Sequence, residues 1–258
     1  MWPGATVRPM SSLQRTQSIH QADAAPAPLF RLDPMSFDDV PAVGRVERRC
    51  FPNPWPASAY RRELQDQKQN HYLVLRALAP ASVDAHDETV PGRSLPRRSL
   101  LPLHLGRRQE HDPVSSQIIG FAGMWQSFDE AHVTTIGVDP AYRGQNLGEL
   151  LLLSMFDAAL ARGANWLTLE VRVTNEPAQA LYRKYGFTVH GVRKRYYSDN
   201  NEDALIMWSR ALSEPDVQAE LESLREALHM RLLGKIDPGG VTPFASHSSA
   251  TPHPGANS

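Results

Sequence analysis

The chain of 258 residues contains a single cysteine, Cys50. It therefore cannot form an intrachain disulfide or a cysteine-based metal cluster, which fits a reducing compartment. We interpret Cys50 as a small buried hydrophobe beside Phe51 rather than as a nucleophile. No apolar run approaches the length that crosses a bilayer, and residues 1–28 lack the apolar core of a secretory signal. The sequence predicts a cytoplasmic protein.

The chain also lacks a strong excess of either charge, since its formal net charge is -1. This balance argues against bulk electrostatic binding to nucleic acid or to an anionic membrane. Two basic pairs, Arg97-Arg98 and Arg107-Arg108, stand out in an otherwise ordinary composition. These pairs could bind ribosomal RNA or an acidic peptide, but we favour the interpretation that they lie in a solvated linker.

Hydrophobic periodicity and composition divide the chain into one domain, residues 29–212, with less ordered additions. Two segments have no pattern of apolar residues that could form a core. Residues 1–28 are rich in Pro, Ala, Ser and Gln, and residues 80–117 are rich in Pro, Arg, Ser and His. We predict a disordered tail and a disordered insertion there. Residues 213–233 are expected to form an amphipathic helix that packs on the domain, and residues 234–258 a disordered tail.

Within the domain, apolar spacing predicts alternating strands and helices. A strict alternation from Trp166 to Val173 indicates a half-buried strand, with Glu170 on its polar face. Asp39 is expected to cap the first helix. The predicted strands are 30–32, 72–75, 118–125, 131–138, 166–173, 188–192 and 203–208, and the predicted helices are 40–50, 57–69, 146–162 and 175–185.

The segment from Val138 to Gly148 reads as a strand end, a tight basic loop and the start of a helix. A helix start has backbone N–H groups without partners and a partial positive charge, and small residues let a phosphate approach them. A Walker loop is excluded because Glu149 and Leu150 follow Gly148. A dinucleotide fingerprint is excluded because only two glycines are present. We interpret the segment as a pyrophosphate cradle.

This loop resembles the Arg/Gln-x-x-Gly-x-Gly/Ala pattern by which the GNAT acetyltransferases hold acetyl-CoA. Arg143 and Gly148 match, whereas Asn146 stands where the family usually has glycine. Because Asn tolerates a positive φ, we expect the loop to keep its shape. Within the superfamily the chain resembles the ribosomal-protein alanine N-acetyltransferases, which acetylate protein N-termini. That resemblance rests on Phe51-Pro52-Asn53-Pro54-Trp55, Leu169-Glu170-Val171-Arg172, Ala180 to Phe187, and Arg193 to Tyr197 ahead of Glu202 to Met207.

The resemblance implies an α/β GNAT fold, a mixed twisted sheet flanked by helices. It implies acetyl-CoA as cosubstrate with no metal, and a protein N-terminus as acceptor, such as the alanine of a ribosomal protein. No membrane and no specific nucleic acid are implied as partners. Asn175 matches a cofactor contact, although Asn is also a common turn residue. The strand residues Ile136, Gly137 and Val138 would align the pantetheine arm, and Arg143, Gly144, Gln145, Asn146, Leu147, Gly148 and Glu149 would hold the pyrophosphate.

Two residues match the family's catalytic positions. Tyr182 corresponds to the general acid, although a helix tyrosine that packs by its ring is the alternative. Glu170 corresponds to the proposed base, for which half-burial would raise the pKa. A structural pair with Arg172 is the alternative for Glu170. Glu130 and His132 are further base candidates, although a hydrogen-bonded structural role is favoured for His132.

The chemistry favours an α-amine, because its reference pKa of about 7.7–8.0 leaves a neutral fraction at pH 7. Lysine, at about 10.4, is roughly 2.5 pKa units higher, which is worth about 3–4 kcal/mol of deprotonation. Direct attack of the neutral amine on the thioester is the expected reaction. Two alternatives stay open at this point: acetylation of a small amine such as a polyamine or an aminoglycoside, and a non-catalytic acyl-CoA-binding module.

Overall fold

The computed structural model describes residues 29–78 and 116–241, which form a seven-stranded mixed sheet flanked by helices. The strand order is β1-β2-β3-β4-β5-β7-β6, and only β4 and β5 are parallel neighbours. The α/β fold expected from the sequence is confirmed. The elements are β1 (Leu29–Pro34), α1 (Val40–Cys50), α2 (Ala57–Gln65), β2 (Asn70–Leu78), β3 (Ser116–Ser127), β4 (Glu130–Val138), α3 (Leu147–Ala161), β5 (Trp166–Arg172), α4 (Glu176–Lys184), β6 (Thr188–Tyr197), β7 (Glu202–Trp208) and α5 (Pro215–Leu232).

Alternate residues of β2 serve two hydrophobic cores on opposite faces of the sheet, as the period of a strand requires. Leu73 and Leu75 belong to the larger core, whereas Tyr72 and Val74 belong to the smaller one. The helix α3 is apolar on most sides and fills the larger core, with Leu150, Leu151, Leu152 and Leu153 all 0% exposed. The helices α1 and α2 cover the smaller core through Val40, Val43, Val46, Tyr60 and Leu64.

The helix α5 packs on the outside of α3, as its apolar spacing predicts. Its residues Val217, Leu221 and Leu228 are buried in the larger core. A buried ion pair adds to this contact, because Arg225 of α5 lies 2.7 Å from Asp157 of α3. The amphipathic segment therefore forms part of the folded domain. Among the residues described, no helix is both long enough and apolar enough to span a membrane.

The structure describes only small parts of the segments that were predicted to be disordered. The predicted tail 1–28, most of the predicted insertion 80–117 and residues 242–258 lie outside the described residues, while 116–117 begin β3. Residues 235–241 run beside β1: Phe30 N donates to Lys235 O at 2.6 Å, and Val241 N donates to Leu32 O at 2.7 Å. This part of the predicted C-terminal tail thus covers the edge strand β1.

Three local predictions differ from the structure. The helix predicted over 57–69 ends at Gln65, and β2 begins at Asn70. Asp39 stands at the N-cap position of α1, but its side chain makes no capping bond to that helix. Its carboxylate instead accepts from the backbone N–H of Ser36 at 2.9 Å and from Arg76 at 2.7 Å. The strand β6 is longer than predicted, because Tyr197 pairs with Glu202 of β7 beyond an irregularity, where the Asp203 side chain accepts from Arg195 N at 2.8 Å.

We expect Leu228→Ala to destabilise the protein by about 2–5 kcal/mol, the range for truncating a buried leucine. Leu228 is 0% exposed, whereas Leu233 just after the same helix is 62% exposed and serves as the control. Leu233→Ala should change the free energy of unfolding by about 0.5 kcal/mol or less. Urea unfolding measures both; equal small effects would mean that α5 is not part of the core.

Candidate active site

The parallel strands β4 and β5 separate partway along their length. They pair only where Glu130–Val133 lie beside Trp166–Leu169. Beyond that point residues 135–138 of β4 pair with β3 alone, and residues 170–172 of β5 pair with β7 alone. A register shift against β3 leaves Thr134 without an opposite partner, and such a bulge bends its strand. The result is a gap in the middle of the sheet, bordered by the backbone of Ile136, Gly137 and Val138.

The predicted cradle follows the end of β4 directly. A short 3-10 helix, Pro140–Tyr142, leads into the loop, and α3 begins at Leu147. Gly144 has φ 75° and Asn146 has φ 61°, so the asparagine adopts the left-handed conformation that the sequence suggested it would tolerate. The first helical bond of α3 runs from Leu150 N to Asn146 O at 3.0 Å. The N–H groups of the three residues before Leu150 therefore point out of the helix start.

The space beside this helix start is open. A Cβ atom placed on Gly148 would meet only the side chain of Val138, at 4.0 Å. A phosphate can consequently approach the backbone N–H groups closely, where the helix dipole adds favourable charge. The residues of this loop fit the pyrophosphate group of acetyl-CoA.

The buried carboxylate of Asp139 holds the loop in place. It accepts from Ala141 N at 3.1 Å and from Arg49 Nε of α1 at 2.9 Å. Burial would raise the pKa of Asp139, but these donors and the charge of Arg143 bring it below its ordinary value. Arg143 itself donates from Nε to the carbonyl of Val138 at 3.1 Å. Asp139 before a proline is a turn signal that could have been found in the sequence, whereas Arg49 lies 90 positions away and could not.

Glu149 supplies a backbone N–H to the helix start while its side chain points into the protein. The carboxylate accepts from Tyr185 at 2.9 Å and from Arg231 at 2.8 Å, and Lys184 also contacts it. Burial acts to raise the pKa of Glu149, but these three donors lower it below its ordinary value. The sequence predicted Glu149 as a cradle residue and missed its partners.

Glu170 lies at the point where β4 and β5 separate. Its carboxylate is 2.9 Å from His132 Nε2 and 3.2 Å from Arg193 Nη2. The other ring nitrogen of His132 lies 2.9 Å from Thr168 Oγ1, so both nitrogens of His132 have partners, as expected for a hydrogen-bonded histidine. The sequence therefore identified Glu170 and His132 separately, and the fold brings them together.

One expectation about Glu170 is wrong, and the alternative offered for it is also not found. Half-burial was expected to raise its pKa, but the hydrogen bond from His132 and the charges of His132 and Arg193 outweigh burial and lower it. The pairing with Arg172 is absent among the described residues. Arg172 instead lies 2.8 Å from Asp199 and 3.0 Å from Glu202, and its guanidinium stacks 3.8 Å over the ring centre of Tyr197. Arg172 thus fixes the turn between β6 and β7.

Tyr182 lies half-buried on α4 with its ring 5.8 Å from that of Phe187. Burial, with a smaller contribution from Tyr197, raises the pKa of Tyr182 to about 12. The phenol is therefore protonated at neutral pH. The ring packing anticipated as the alternative is present. This packing involves the ring of Tyr182 and not its hydroxyl.

The remaining candidates have simpler surroundings. Asn175 caps α4, with Oδ1 accepting from Ala178 N at 3.3 Å, which is the turn role expected as the alternative to a cofactor contact. Glu130 is exposed at the β3–β4 turn. Cys50 is half-buried against the smaller core, and burial raises the pKa of its thiol. Within the described ranges, no group of three or more His, Cys, Asp or Glu side chains is placed to hold a metal ion.

Comparison with known proteins gives a consistent result. The model of the acetyltransferase (GNAT) family matches residues 101–187. A [ribosomal protein bS18]-alanine N-acetyltransferase from Salmonella typhimurium is 42% identical over 175 residues, 67% of this chain and 92% of that protein. The N-alpha-acetyltransferase RimI of Mycobacterium tuberculosis is 33% identical over 175 residues, 66% of this chain and 85% of that protein.

A solved structure shares the fold. The crystal structure of the ribosomal-protein-S18-alanine N-acetyltransferase from Escherichia coli aligns with a TM-score of 0.52 and 25% identity, covering 73% of this chain and 98% of that one. The gap between β4 and β5 and these matches together define the class of protein. The chain belongs to the GNAT family and is an acetyl-CoA-dependent N-acetyltransferase.

We expect Gly148→Val to weaken acetyl-CoA binding at least tenfold, because the added side chain would project into the open space beside the helix start. Gly44→Val is the control, since Gly44 lies on α1 and the same change there carries a similar effect on helix propensity. Calorimetric titration with acetyl-CoA measures the affinity. Unchanged affinity in Gly148→Val would contradict the assignment of the cradle.

Proposed function

We propose that this enzyme acetylates the N-terminal α-amine of a protein, and that its acceptor is the N-terminal alanine of a ribosomal protein. The observation that carries the proposal is the position of Glu170, ionised and joined to His132 at the start of the gap between β4 and β5. The names of the relatives from Salmonella typhimurium and Mycobacterium tuberculosis support the same class of acceptor.

The lowered pKa of Glu170 favours an α-amine over a lysine side chain. A carboxylate with this pKa is a weak base, so the acceptor must already be neutral for part of the time. An α-amine with a reference pKa of about 7.7–8.0 meets this condition at neutral pH, whereas a lysine at about 10.4 does not. The same base would therefore serve an N-terminus and fail with lysine.

Each part of the site has a role in this proposal. Acetyl-CoA supplies the acetyl group as an activated thioester. The cradle from Arg143 to Glu149 holds its pyrophosphate, and the free edge of β4 at residues 136–138 aligns the pantetheine arm by backbone hydrogen bonds. We assign Asn175 a further contact with acetyl-CoA, made by the part of its carboxamide that does not cap α4.

Glu170 and His132 handle the proton of the acceptor amine. As the N–C bond forms, the amine proton passes to Glu170, whose carboxylate is held in place by the hydrogen bond that His132 donates to it. Tyr182 serves the other half of the exchange. With a pKa of about 12 it stays protonated and donates its O–H toward the sulfur as the C–S bond breaks. No covalent enzyme intermediate is required.

The direct test is CoA release from acetyl-CoA with a peptide that begins Ala-Arg. A matched peptide with a blocked N-terminus and a free lysine is the control. We expect turnover only with the free N-terminus. Turnover with a polyamine or an aminoglycoside and none with either peptide would contradict the proposal and favour a small-amine acceptor. Tight acetyl-CoA binding without turnover on any amine would indicate a binding module.

We expect Glu170→Gln to lower kcat/KM about a hundredfold, the loss typical of removing a general base. Because the folded-state pKa of Glu170 is lowered, its carboxylate stays ionised until the pH falls below its ordinary value of 4.5. The fall in kcat/KM on acidification should therefore follow the acceptor amine, whose reference pKa is about 7.7–8.0. Glu130→Gln, on the exposed turn, is the control and should keep wild-type activity. The measurement is kcat/KM as a function of pH for both variants and the wild type. If Glu170→Gln keeps the wild-type kcat/KM, Glu170 has a structural role.

Tyr182→Phe keeps the ring beside Phe187 and removes only the hydroxyl. We expect kcat to fall about a hundredfold while the affinity for acetyl-CoA changes by less than about twofold. Steady-state kinetics together with calorimetry separate the two quantities. A parallel loss of kcat and affinity would show that Tyr182 acts through packing.

A further inference from the structure

The side chain of Glu149 joins three helices at one buried point. Glu149 is the third residue of α3, and its side chain is 8% exposed. Lys184 and Tyr185 reach it from the end of α4, and Arg231 reaches it from the last turn of α5 at 2.8 Å. The C-terminal helix therefore contacts the same helical turn that presents the cradle.

The charge of Glu149 matters because of where it lies. Its own N–H belongs to the helix start to which we assign the pyrophosphate, so an uncompensated carboxylate there would repel the phosphates. Lys184 and Arg231 bring two positive charges to one negative charge, which leaves the cluster with a net charge of +1. The lowered pKa of Glu149 agrees with strong compensation. Without Arg231, the cluster would be neutral.

We propose that Arg231 is a positioning residue for acetyl-CoA: through Glu149, the C-terminal helix keeps the cradle electrostatically attractive and holds the first turn of α3 in place. This inference rests on the proposed placing of the pyrophosphate at the start of α3. It gives α5 a part in cosubstrate binding in addition to its packing on the core. The side chain of Arg231 is 40% exposed, so its replacement removes few packing contacts.

A second ion pair between the same helices provides the matched control. Arg225 of α5 pairs with Asp157 of α3 at 2.7 Å, far along α3 from its first turn. Asp157→Asn weakens that pair while Glu222 still contacts Arg225 at 3.0 Å. If α5 acts only by stabilising the fold, Asp157→Asn and Arg231→Met should have similar consequences for acetyl-CoA binding.

The experiment is calorimetric titration of the full-length protein with CoA, in wild type, Arg231→Met, Asp157→Asn and the double variant Arg231→Met with Glu149→Gln. We expect Arg231→Met to weaken CoA binding about three- to tenfold, as expected for one partly exposed charge near a helix start. The loss should shrink at about 1 M salt, where the screening length is about 3 Å. Asp157→Asn should bind CoA as wild type does. Removing the carboxylate charge in the double variant should restore most of the affinity.

Three results would overturn the inference. One is wild-type CoA affinity in Arg231→Met. Another is equal weakening in Arg231→Met and Asp157→Asn, which would indicate a purely structural role. The third is a double variant that binds CoA as weakly as Arg231→Met. Failure of the proposed site itself is distinguishable, since wild type would then bind CoA no better than Gly148→Val does.

Discussion

The separation of β4 and β5 beyond Val133 and Leu169 is the constraint on which the rest of the site depends. Two parallel strands that stayed paired would satisfy each other's backbone groups and close the sheet. Because they part, the edge of β4 faces a gap, Glu170 lies at the start of that gap, and β4 leads from it directly into the predicted phosphate cradle. One irregularity in a sheet thus frees the edge of β4, places Glu170 beside it and directs the chain toward the start of α3.

Three buried or half-buried carboxylates near this gap are kept ionised by their partners. Asp139, Glu149 and Glu170 all have lowered pKa values although burial acts to raise them, because cationic or hydrogen-bonding partners from distant elements outweigh it. The ionised form of each is therefore built into the fold. A partner lost from such a site leaves a buried charge without compensation, which costs far more than a surface pair. The site is consequently held by its charges as well as by its cores.

Local patterns were enough to predict much of this arrangement. The alternation in β5 placed Glu170 on the polar face, the spacing of α5 predicted packing on the domain, and the tolerance of Asn146 for positive φ anticipated the loop. What the sequence could not reveal depends on contacts between distant residues. The partner of Glu170 is His132 on another strand and not the neighbouring Arg172, and this reversed the expected direction of its pKa shift. The roles of Asn175, Tyr182 and the cradle stay predictions that rest on the resemblance and on their geometry.

The central claim is that one site holds acetyl-CoA and the N-terminal amine of a protein side by side. The most direct measurement is the affinity of a conjugate in which CoA is joined through an acetyl linker to the α-amine of an Ala-Arg peptide. Linking two groups that occupy one site makes the second contact intramolecular, so we expect the conjugate to bind at least about a hundredfold more tightly than CoA. A conjugate that binds no more tightly than CoA alone would contradict the account.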